Sequence, residues 1–461
     1  MSKYRKFFLK IFPLAVLILF VLLEFLSRGA ATIFNDVMAE QKILNGTVTV
    51  EKISANIFGE VTFENFLWKD INGRTLLEIP EGSFKVKIFD VITKNFKTTT
   101  LEEIYLTDAN ISLHLTEDMQ VDFVGNSQEL KKINSKKKSW ENKTEQELKE
   151  IGERRRKFNQ EKIEKGWKNF NIEGRKINLN LKLENCRLEV FYLARHYLFS
   201  RVNFETKINT DDKMILNVHT GIFGGTMIGR GFEMHGTVDF KPEIPQCNLT
   251  VLFQEVDPSS LGFGLNIHDE MTLWADFEGD ISRPTGLGKL NMKKLDIPGL
   301  SFKNLEGKIY YKDATLKFTD VTAEVYDGKL SAHGDYNIDT RYYNIYGEGK
   351  NLKSYTALPN SHLHCDVDLK ISLSSKGSAK QTFTSGSFVS NKGRYSIFKI
   401  KSISGNFKSG PDSIDFYDVK IDLGSLKVVT DALSIKDKKL NLSPIEILDK
   451  DGNIFETFTR D

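Results

Sequence analysis

The sequence predicts a mostly β fold: an elongated antiparallel sheet built from repeats, with one N-terminal transmembrane helix and one charged insertion helix. Three observations support this class. Apolar and polar residues alternate along many short segments, clusters of Gly, Asn and Asp separate those segments, and a unit of roughly 100 residues recurs. Strand and helix patterns do not alternate regularly along the sequence, which disfavours Rossmann-type and TIM-type sheets.

Strict alternation is clearest in two segments. The apolar members are Ile177, Leu179, Leu181 and Leu183 in the first, and Val367, Leu369, Ile371 and Leu373 in the second. Because successive side chains of a strand point to opposite faces, a period of two predicts strands with one apolar and one polar face. The pairs Asn72-Gly73, Asp327-Gly328 and Asp451-Gly452 are typical of tight hairpin turns, so neighbouring strands are expected to pair antiparallel.

The second half of the chain repeats itself. Gly288, Leu305, Gly307, Phe318 and Val321 recur 98 residues later as Gly386, Ile403, Gly405, Phe416 and Val419. A second match, with an offset of 103, relates Phe223–Gly225 and Gly231 to Tyr326–Gly328 and Gly334. Repetition of a β unit favours a stacked, elongated sheet over separate closed domains.

An apolar run near the N-terminus, residues 7–26, has the length that the hydrocarbon core of a bilayer requires, roughly 20 residues. Lys10 can extend to the lipid headgroups, and Glu24 lies close to the far interface. Basic residues dominate the first ten positions, so the positive-inside rule places the N-terminus in the cytoplasm and the body of the chain across the membrane.

The apolar run predicts two segments at the start of the chain. Residues 1–28 are expected to form a cytoplasmic tip and a transmembrane anchor, and residues 29–45 a linker helix. The alternative is a signal peptide that is cleaved at the small residues Gly29–Ala31. The apolar run is longer than the core of an ordinary signal peptide, which favours the uncleaved anchor.

Residues 128–168 depart from the alternating pattern and predict a charged helical insertion. The part from Lys131 to Lys168 contains 14 Lys/Arg, 7 Glu and no Pro. Thr144 and Glu147 have the spacing of a capping box, in which each side chain bonds the other residue's backbone N–H. A solvated helix with a narrow apolar stripe explains this composition. The alternative is a helix that contacts anionic lipid headgroups through Arg154, Arg155, Arg156 and Lys157.

The sequence contains no familiar catalytic motif, so we expect a protein that is not an enzyme and has no catalytic residues. The closest histidine pair, His362 and His364, precedes Cys365, but a third ligand at metal-site spacing is lacking, so neither a metal nor a cofactor is expected. The three cysteines match no zinc or redox spacing, which favours buried free thiols over one disulfide. A net charge of +2 gives the chain no general attraction to nucleic acid.

An alternating sheet of this length needs something to cover its apolar face. Either the sheet folds on itself as a sandwich or closed barrel, or the apolar face lines a groove for an apolar ligand, since a long exposed apolar face promotes aggregation. Beside a membrane anchor, lipid acyl chains are the natural ligand. The residues expected to line such a groove are Ile177, Leu179, Leu181, Leu183, Phe318, Val367, Leu369, Ile371, Leu373 and Phe416.

The order of these patterns resembles the AsmA-like family, the relatives of AsmA and TamB. Gly46–Val50, Ile53–Gly59 and Thr62–Phe66 are similar to the family's opening strands, and Leu305–Gly307 with Tyr326–Gly334 is similar to its repeated strands. The resemblance covers most of the chain after the anchor, with residues 46–127 as an N-terminal AsmA-like β region and residues 169–461 as a repeated β-groove region. At 461 residues the chain is short beside the large members of the family.

The resemblance implies an inner-membrane protein of a two-membraned bacterium, with one membrane span and a taco-like β-groove in the periplasm. It implies that the protein binds phospholipid or conducts it toward the outer membrane. The implied partners are membrane phospholipids and other envelope or outer-membrane proteins. The alternative is an envelope scaffold or outer-membrane protein assembly factor that pairs its open sheet edges with a partner's strand.

Overall fold

The computed structural model shows a mostly β protein, with 72% strand and 6% helix, which confirms the predicted fold class at this level. Its described residues divide into two compact units: the second comprises those within Lys138–Asn159, Leu261–Met271 and Gly286 onward, and the first comprises the rest. The structure describes residues 46–56, 58–93, 95, 97, 99–115, nine residues within 144–161, and 177–458 except for gaps at 193–194, 262–266, 282, 298–299, 358–361, 377–381, 411–412 and 437–438.

The first unit contains long strands joined by short turns. In chain order the strands are β1 (Thr47–Thr49), β2 (Lys52–Ala55), β3 (Glu60–Lys69), β4 (Thr75–Val86), β5 (Leu101–Thr107), β6 (Asn110–Leu115), β7 (Asn178–Tyr192), β8 (Arg195–Asn209), β9 (Lys213–Thr220), β10 (Phe223–Gly225), β11 (Gly231–Asp239), β12 (Gln246–Val256) and β13 (Met271–Asp280). A short helix, α1 (Ile88–Ile92), follows β4, and a 3₁₀ turn spans Pro258–Leu261.

The sheet of the first unit is mixed. Strands β1 and β2 pair in succession with β3, β3 pairs with β4, and β4 pairs with β5 and β6, all antiparallel. Strand β7 is parallel to both β5 and β6, with Leu181 opposite Ile104 and Leu188 opposite Ile111. Strands β7 and β8, β8 and β9, β8 and β10, β9 and β11, and β11 and β12 then pair antiparallel.

The prediction of a purely antiparallel sheet is therefore wrong. Parallel neighbours need a crossover connection of a dozen or more residues, and the chain between β6 and β7 supplies the length for one. Alternation determines the face on which a side chain lies, but it does not determine the direction of the neighbouring strand. The turn residues indicate antiparallel pairing only where the connection is short.

The second unit contains the remaining strands. They are β14 (Thr285–Ile297), β15 (Leu300–Lys312), β16 (Thr315–Val325), β17 (Gly328–Asn337), β18 (Tyr342–Lys353), β19 (Leu363–Lys376), β20 (Thr382–Ser390), β21 (Gly393–Tyr395), β22 (Phe398–Ile400), β23 (Ser402–Ser409), β24 (Ser413–Asp422), β25 (Lys427–Lys436), β26 (Lys439–Leu442), β27 (Ile445–Leu448) and β28 (Ile454–Phe458). The helix α2 (Ser354–Ala357) lies between β18 and β19.

The second unit pairs its strands antiparallel and nearly in chain order. Each strand from β14 to β19 pairs with the next, β19 pairs with β20, and β20 pairs with β23. The order continues through β24 and β25, which pairs with both β26 and β27, and β27 pairs with β28. The small hairpin of β21 and β22 pairs with the start of β19.

The strand register of β14–β15–β16 coincides with that of β20–β23–β24 at an offset of 98 residues. Gly288 lies opposite Ile309 as Gly386 lies opposite Phe407. The register shift between β15 and β16 has a counterpart between β23 and β24. Asp320 and Asp418, also 98 apart, both have positive φ angles, 52° and 54°, beside these bulges.

The sequence match with an offset of 103 residues is not accompanied by a matching strand register. Phe223–Gly225 forms a short strand that pairs with β8. Tyr326 and Asp327 instead form the tight turn between β16 and β17, both with positive φ. The two segments share glycine spacing without sharing local structure.

A buried carboxylate holds the turn between β3 and β4, where the sequence predicts a hairpin at Asn72-Gly73. Asp70 is 3% exposed. Its Oδ1 accepts the backbone N–H groups of Asn72 and Arg74 at 2.8 and 2.9 Å, and its Oδ2 accepts the Arg74 guanidinium at 2.5 Å. Burial acts to raise the pKa of Asp70, but the hydrogen bonds from Arg74 and Asn72 outweigh it and lower that pKa.

We expect Asp70→Asn to lower the free energy of unfolding by about 1–3 kcal/mol at neutral pH, since the bonds of a buried charge are lost. A folded-state pKa below the unfolded value means that the stabilisation is present above pH about 3.9 and is lost as pH falls through the folded pKa. Urea unfolding at several pH values checks this: the difference between wild type and variant should shrink below pH about 4. A difference that stays constant down to pH about 2.5 would contradict it.

Among the described residues no helix is long and apolar enough to cross a membrane. The predicted anchor (1–28) and linker helix (29–45) lie outside the described residues. Within the predicted charged insertion, the described residues from Gln146 to Glu161 are helical, and all but Ile151 are exposed. The capping box at its start is confirmed, since Thr144 N donates to Glu147 Oε2 at 2.7 Å and Glu147 N donates to Thr144 Oγ1 at 3.3 Å.

Candidate functional site

Residues of β7 predicted to line a groove lie on one face of the first unit. Leu179, Leu181 and Leu183 occupy every second position of β7, and Ile177 continues the series just before the strand. Their cross-strand neighbours on β5 and β8 extend this face, which we call the first apolar face. Those neighbours are Ile104, Leu106, Phe204, Thr206 and Ile208.

The six predicted residues of the second unit also share one face, which we call the second apolar face. Val367, Leu369, Ile371 and Leu373 alternate along β19. The pairing row that contains Leu373 passes through Ile345 and Gly334 to Phe318. The row that contains Ile371 passes through Gly386 and Phe407 to Phe416. Alternation in the sequence predicted the four β19 residues, and the match with an offset of 98 contains Phe318 and Phe416.

All ten predicted residues are half-buried. A covered core behaves differently: Met292, Phe302 and Leu305, at the centre of the largest described cluster of the second unit, are 3–7% exposed. Val367 and Leu369 pack against the edge of that cluster, and Leu183 packs against the buried cluster of Ala109, Cys186 and Val202 in the first unit. The two apolar faces are thus supported by small buried clusters, while part of each predicted side chain stays accessible.

On these faces several glycines lie opposite aromatic residues and leave space for their rings. Phe63 lies opposite Gly82, Phe388 opposite Gly405, and Phe407 opposite Gly386. A Cβ at Gly82 would lie 2.4 Å from the Phe63 ring, and one at Gly405 would lie 2.7 Å from the Phe388 ring. Each ring therefore lies over the backbone of its partner strand, an arrangement that only glycine permits. The sequence repeat contains two of these glycines, but their aromatic partners become evident only from the register.

The opposite face of the sheet is polar in each unit. Lys182 contacts Glu184 at 3.1 Å and Lys308 contacts Asp320 at 2.8 Å. The hydrogen bond and charge of Asp320 raise the pKa of Lys308. These side chains are exposed and water screens their charges, so each pair contributes little to stability. They place charged groups on the face of the sheet that is exposed to water.

Sequence reasoning missed a hollow of about 710 Å³ on the polar face of the second unit. Half-buried serines, Ser372, Ser385 and Ser387, form its floor. We call this hollow the serine trough. Tyr346 bounds one side and Lys408 the other, so that one pairing row runs Tyr346, Ser372, Ser385, Lys408. The signal in the sequence is the run of serines where other strands place Lys, Asp or Glu. Its hydroxyl groups can donate and accept hydrogen bonds to a polar ligand.

The basic residues predicted for membrane contact are only partly described. Arg154 and Lys157 are exposed on the insertion helix, and Arg154 contacts Glu150 at 4.0 Å. Arg155 and Arg156 lie outside the residues whose side chains are described. The membrane-contact hypothesis for this helix stays a prediction.

The histidine and cysteine side chains considered in the sequence can be located in the described part of the chain. There, no group of three His, Cys, Asp or Glu side chains could hold a metal ion. The ring of His364 packs 5.6 Å from that of Tyr355. The cysteines Cys186, Cys247 and Cys365 are free and buried, and burial raises the pKa of the Cys186 and Cys247 thiols, which disfavours reactive thiolates.

The chain matches no protein-family model, no curated protein and no solved structure.

Proposed function

We propose that this protein is an AsmA-like, inner-membrane-anchored protein whose β body lies in the periplasm and binds phospholipid acyl chains along its apolar faces. In this proposal the faces line a taco-like groove that conducts lipid toward the outer membrane. No cofactor takes part, because burial of acyl CH₂ groups supplies about 0.8 kcal/mol each and a uniform apolar surface keeps that gain level along the path.

The observation that carries the proposal is the half-burial of the ten residues on the two apolar faces. A sheet face with this many accessible Leu, Ile, Val and Phe side chains is an aggregation liability unless it receives an apolar ligand. Bilayer lipid is such a ligand, and the apolar run at residues 7–26 favours a location beside it.

A repeated unit also supports the proposal. The 98-residue offset holds for sequence, for register and for the bulges beside Asp320 and Asp418. A repeated β unit extends an apolar face without changing its character, as a path for acyl chains requires.

Site-specific photocrosslinking in the full chain tests the proposal. With p-benzoylphenylalanine in place of Leu369 or Leu181, irradiation in membranes should yield phospholipid adducts, detected by mass spectrometry. The matched controls place the same probe at Lys370 or Lys182, one position along the strand and on the polar face. Equal lipid adducts at both positions of a pair, or none at Leu369 and Leu181, would rule out lipid binding by these faces.

A second candidate function, scaffolding by strand pairing, is favoured by β28. Among the described strands it pairs with β27 alone. All five of its residues are exposed, including Ile454 at 60% and Phe455 at 70%. An edge strand that is apolar and open can accept a strand from a partner protein. The photoprobe at Phe455 distinguishes the two functions, since scaffolding requires a protein adduct there together with the absence of lipid adducts at Leu369.

A further inference from the structure

The structure contains a group of exposed apolar side chains at one end of the β3–β4 hairpin of the first unit. Phe58, Phe89 and Ile92 are 73%, 76% and 72% exposed. Phe58 lies in the turn between β2 and β3, and Phe89 and Ile92 lie on α1, directly after β4. Because β3 and β4 are paired neighbours, the turn and the helix emerge from the same end of the same hairpin. We call these three residues the Phe89 patch.

The turn and the helix are in contact. Val86 N donates to Gly59 O at 3.0 Å. A Cβ at Gly59 would lie 2.9 Å from Ile88 Cγ1, and the φ of Gly59 is +81°. Glycine is thus required where the turn approaches the helix, and the exposed side chains belong to one packed structure.

Buried hydrogen bonds fix the orientation of α1. Thr100 is fully buried, and its Oγ1 donates to Asp90 Oδ2 at 2.9 Å. The backbone closes around this pair, since Lys87 N donates to Thr100 O at 2.9 Å and Asn95 N donates to Asp90 O at 2.9 Å. With Asp90 held inward, Phe89 and Ile92 are presented to the outside rather than folded into the core.

We propose that the Phe89 patch inserts into the interfacial region of the bilayer that holds the N-terminal anchor. Large apolar side chains on a rigid, cation-flanked element suit the boundary between headgroups and acyl chains. The sequence from 87 to 97 contains Lys87, Lys94 and Lys97, and its one acidic residue, Asp90, is buried. Such a segment complements anionic headgroups.

The anchor can bring the patch to the membrane. The chain from Leu26 to Thr47 contains 21 steps, and with residues 29–45 helical and the rest extended it spans about 40 Å. Thr47 pairs with Lys69 at the far end of β3, and a strand of 10 residues is about 33 Å long. The connection therefore exceeds the distance along β3 that separates the chain entry from the patch. This inference rests on the anchor of the proposed function, but not on lipid binding by the apolar faces.

A depth measurement on the full chain tests the proposal. The variant Ile92→Cys is labelled with a nitrobenzoxadiazole probe, since the three native cysteines are buried. It is reconstituted into phosphatidylcholine vesicles with and without phosphatidylglycerol, some of which contain nitroxide-labelled lipid. We expect a blue-shifted emission, strong quenching by the nitroxide lipid and several-fold protection from aqueous iodide, all enhanced by phosphatidylglycerol. The matched control is Ile397→Cys, 85% exposed in the turn between β21 and β22, which should stay open to iodide.

Two other outcomes would overturn the proposal that the Phe89 patch inserts into the bilayer. A probe at residue 92 as open to iodide as the probe at residue 397 means that the patch stays in water. A probe shielded from iodide but not quenched by nitroxide lipid means that protein covers it, either another segment of this chain or a second copy. Flotation of the labelled chain with the vesicles measures membrane attachment by the anchor separately. A chain that floats with an exposed probe contradicts insertion of the patch, whereas a chain that does not float contradicts the anchor.

Discussion

Ile371→Asp should reduce the phospholipid adduct formed by a photoprobe at Leu369 at least about tenfold, the effect of about 1.4 kcal/mol. Ile371 is half-buried at the centre of the second apolar face, between Gly347 on β18 and Gly386 on β20. A carboxylate there removes apolar contact worth about 0.8 kcal/mol per CH₂ group and must stay hydrated, which interrupts the surface available to an acyl chain.

The neighbouring variant Ser372→Asp is the matched control for that prediction. It introduces the same charge one position along β19, but on the polar face, where Ser372 lies on the floor of the serine trough. We expect the adduct at Leu369 to persist in this variant. Both proteins should first be compared by thermal unfolding, since only a folded variant can show whether the second apolar face binds lipid. A loss of adduct that is equal in the two variants would contradict binding along the second apolar face.

Gly386→Ala should lower the free energy of unfolding by about 3 kcal/mol, at the upper end of the usual cost of overpacking. The added Cβ would lie 2.1 Å from the carbonyl oxygen of Lys370 and 2.7 Å from the ring of Phe407. The carbonyl belongs to the β19 backbone, so it cannot rotate away as a side chain can. The ring is also confined, because Phe416 lies opposite it with ring centroids 6.4 Å apart.

Gly410→Ala is the control for this glycine. Gly410 follows β23, and a Cβ there meets no atom within 4 Å. Substitutions at such sites usually change stability by less than about 0.5 kcal/mol. Chemical denaturation followed by circular dichroism measures both variants. If Gly386→Ala were as stable as Gly410→Ala, the strands on either side of Gly386 would have to be farther apart than the structure places them.

The sequence predicted the faces of the sheet better than its connections. Alternation at Leu179, Leu181 and Leu183 depends only on the pleat of the strand, and the structure keeps these side chains on one face. The parallel pairing of β7 with β5 and β6 depends on how the chain returns after residue 115, which no local pattern records. The direction of a neighbouring strand is a long-range property and was predicted wrongly for that reason.

The candidate sites could likewise be predicted from the sequence only in part. The Phe–Gly pairs are distant in sequence, as Phe388 and Gly405 illustrate, and their contact follows from register rather than from spacing. The serine trough requires neighbouring strands to place small side chains in the same row, which one strand alone does not reveal. The exposure of Phe89 was unpredictable because an apolar residue in a short helix more often faces a core.

The parallel junction at β7 has a consequence for biogenesis. A chain is made from its N-terminus, so β1 to β6 are complete well before residues 178–192 exist. Until β7 arrives, the side of β5 and β6 that it will occupy has unpaired N–H and C=O groups, which can capture a foreign strand. More than 60 residues separate β6 from β7, and closing so long a loop is slower than forming a hairpin. The nascent protein therefore passes through an interval in which its growing edge must be shielded, and mutations that lengthen this interval would harm yield before they harm the finished fold.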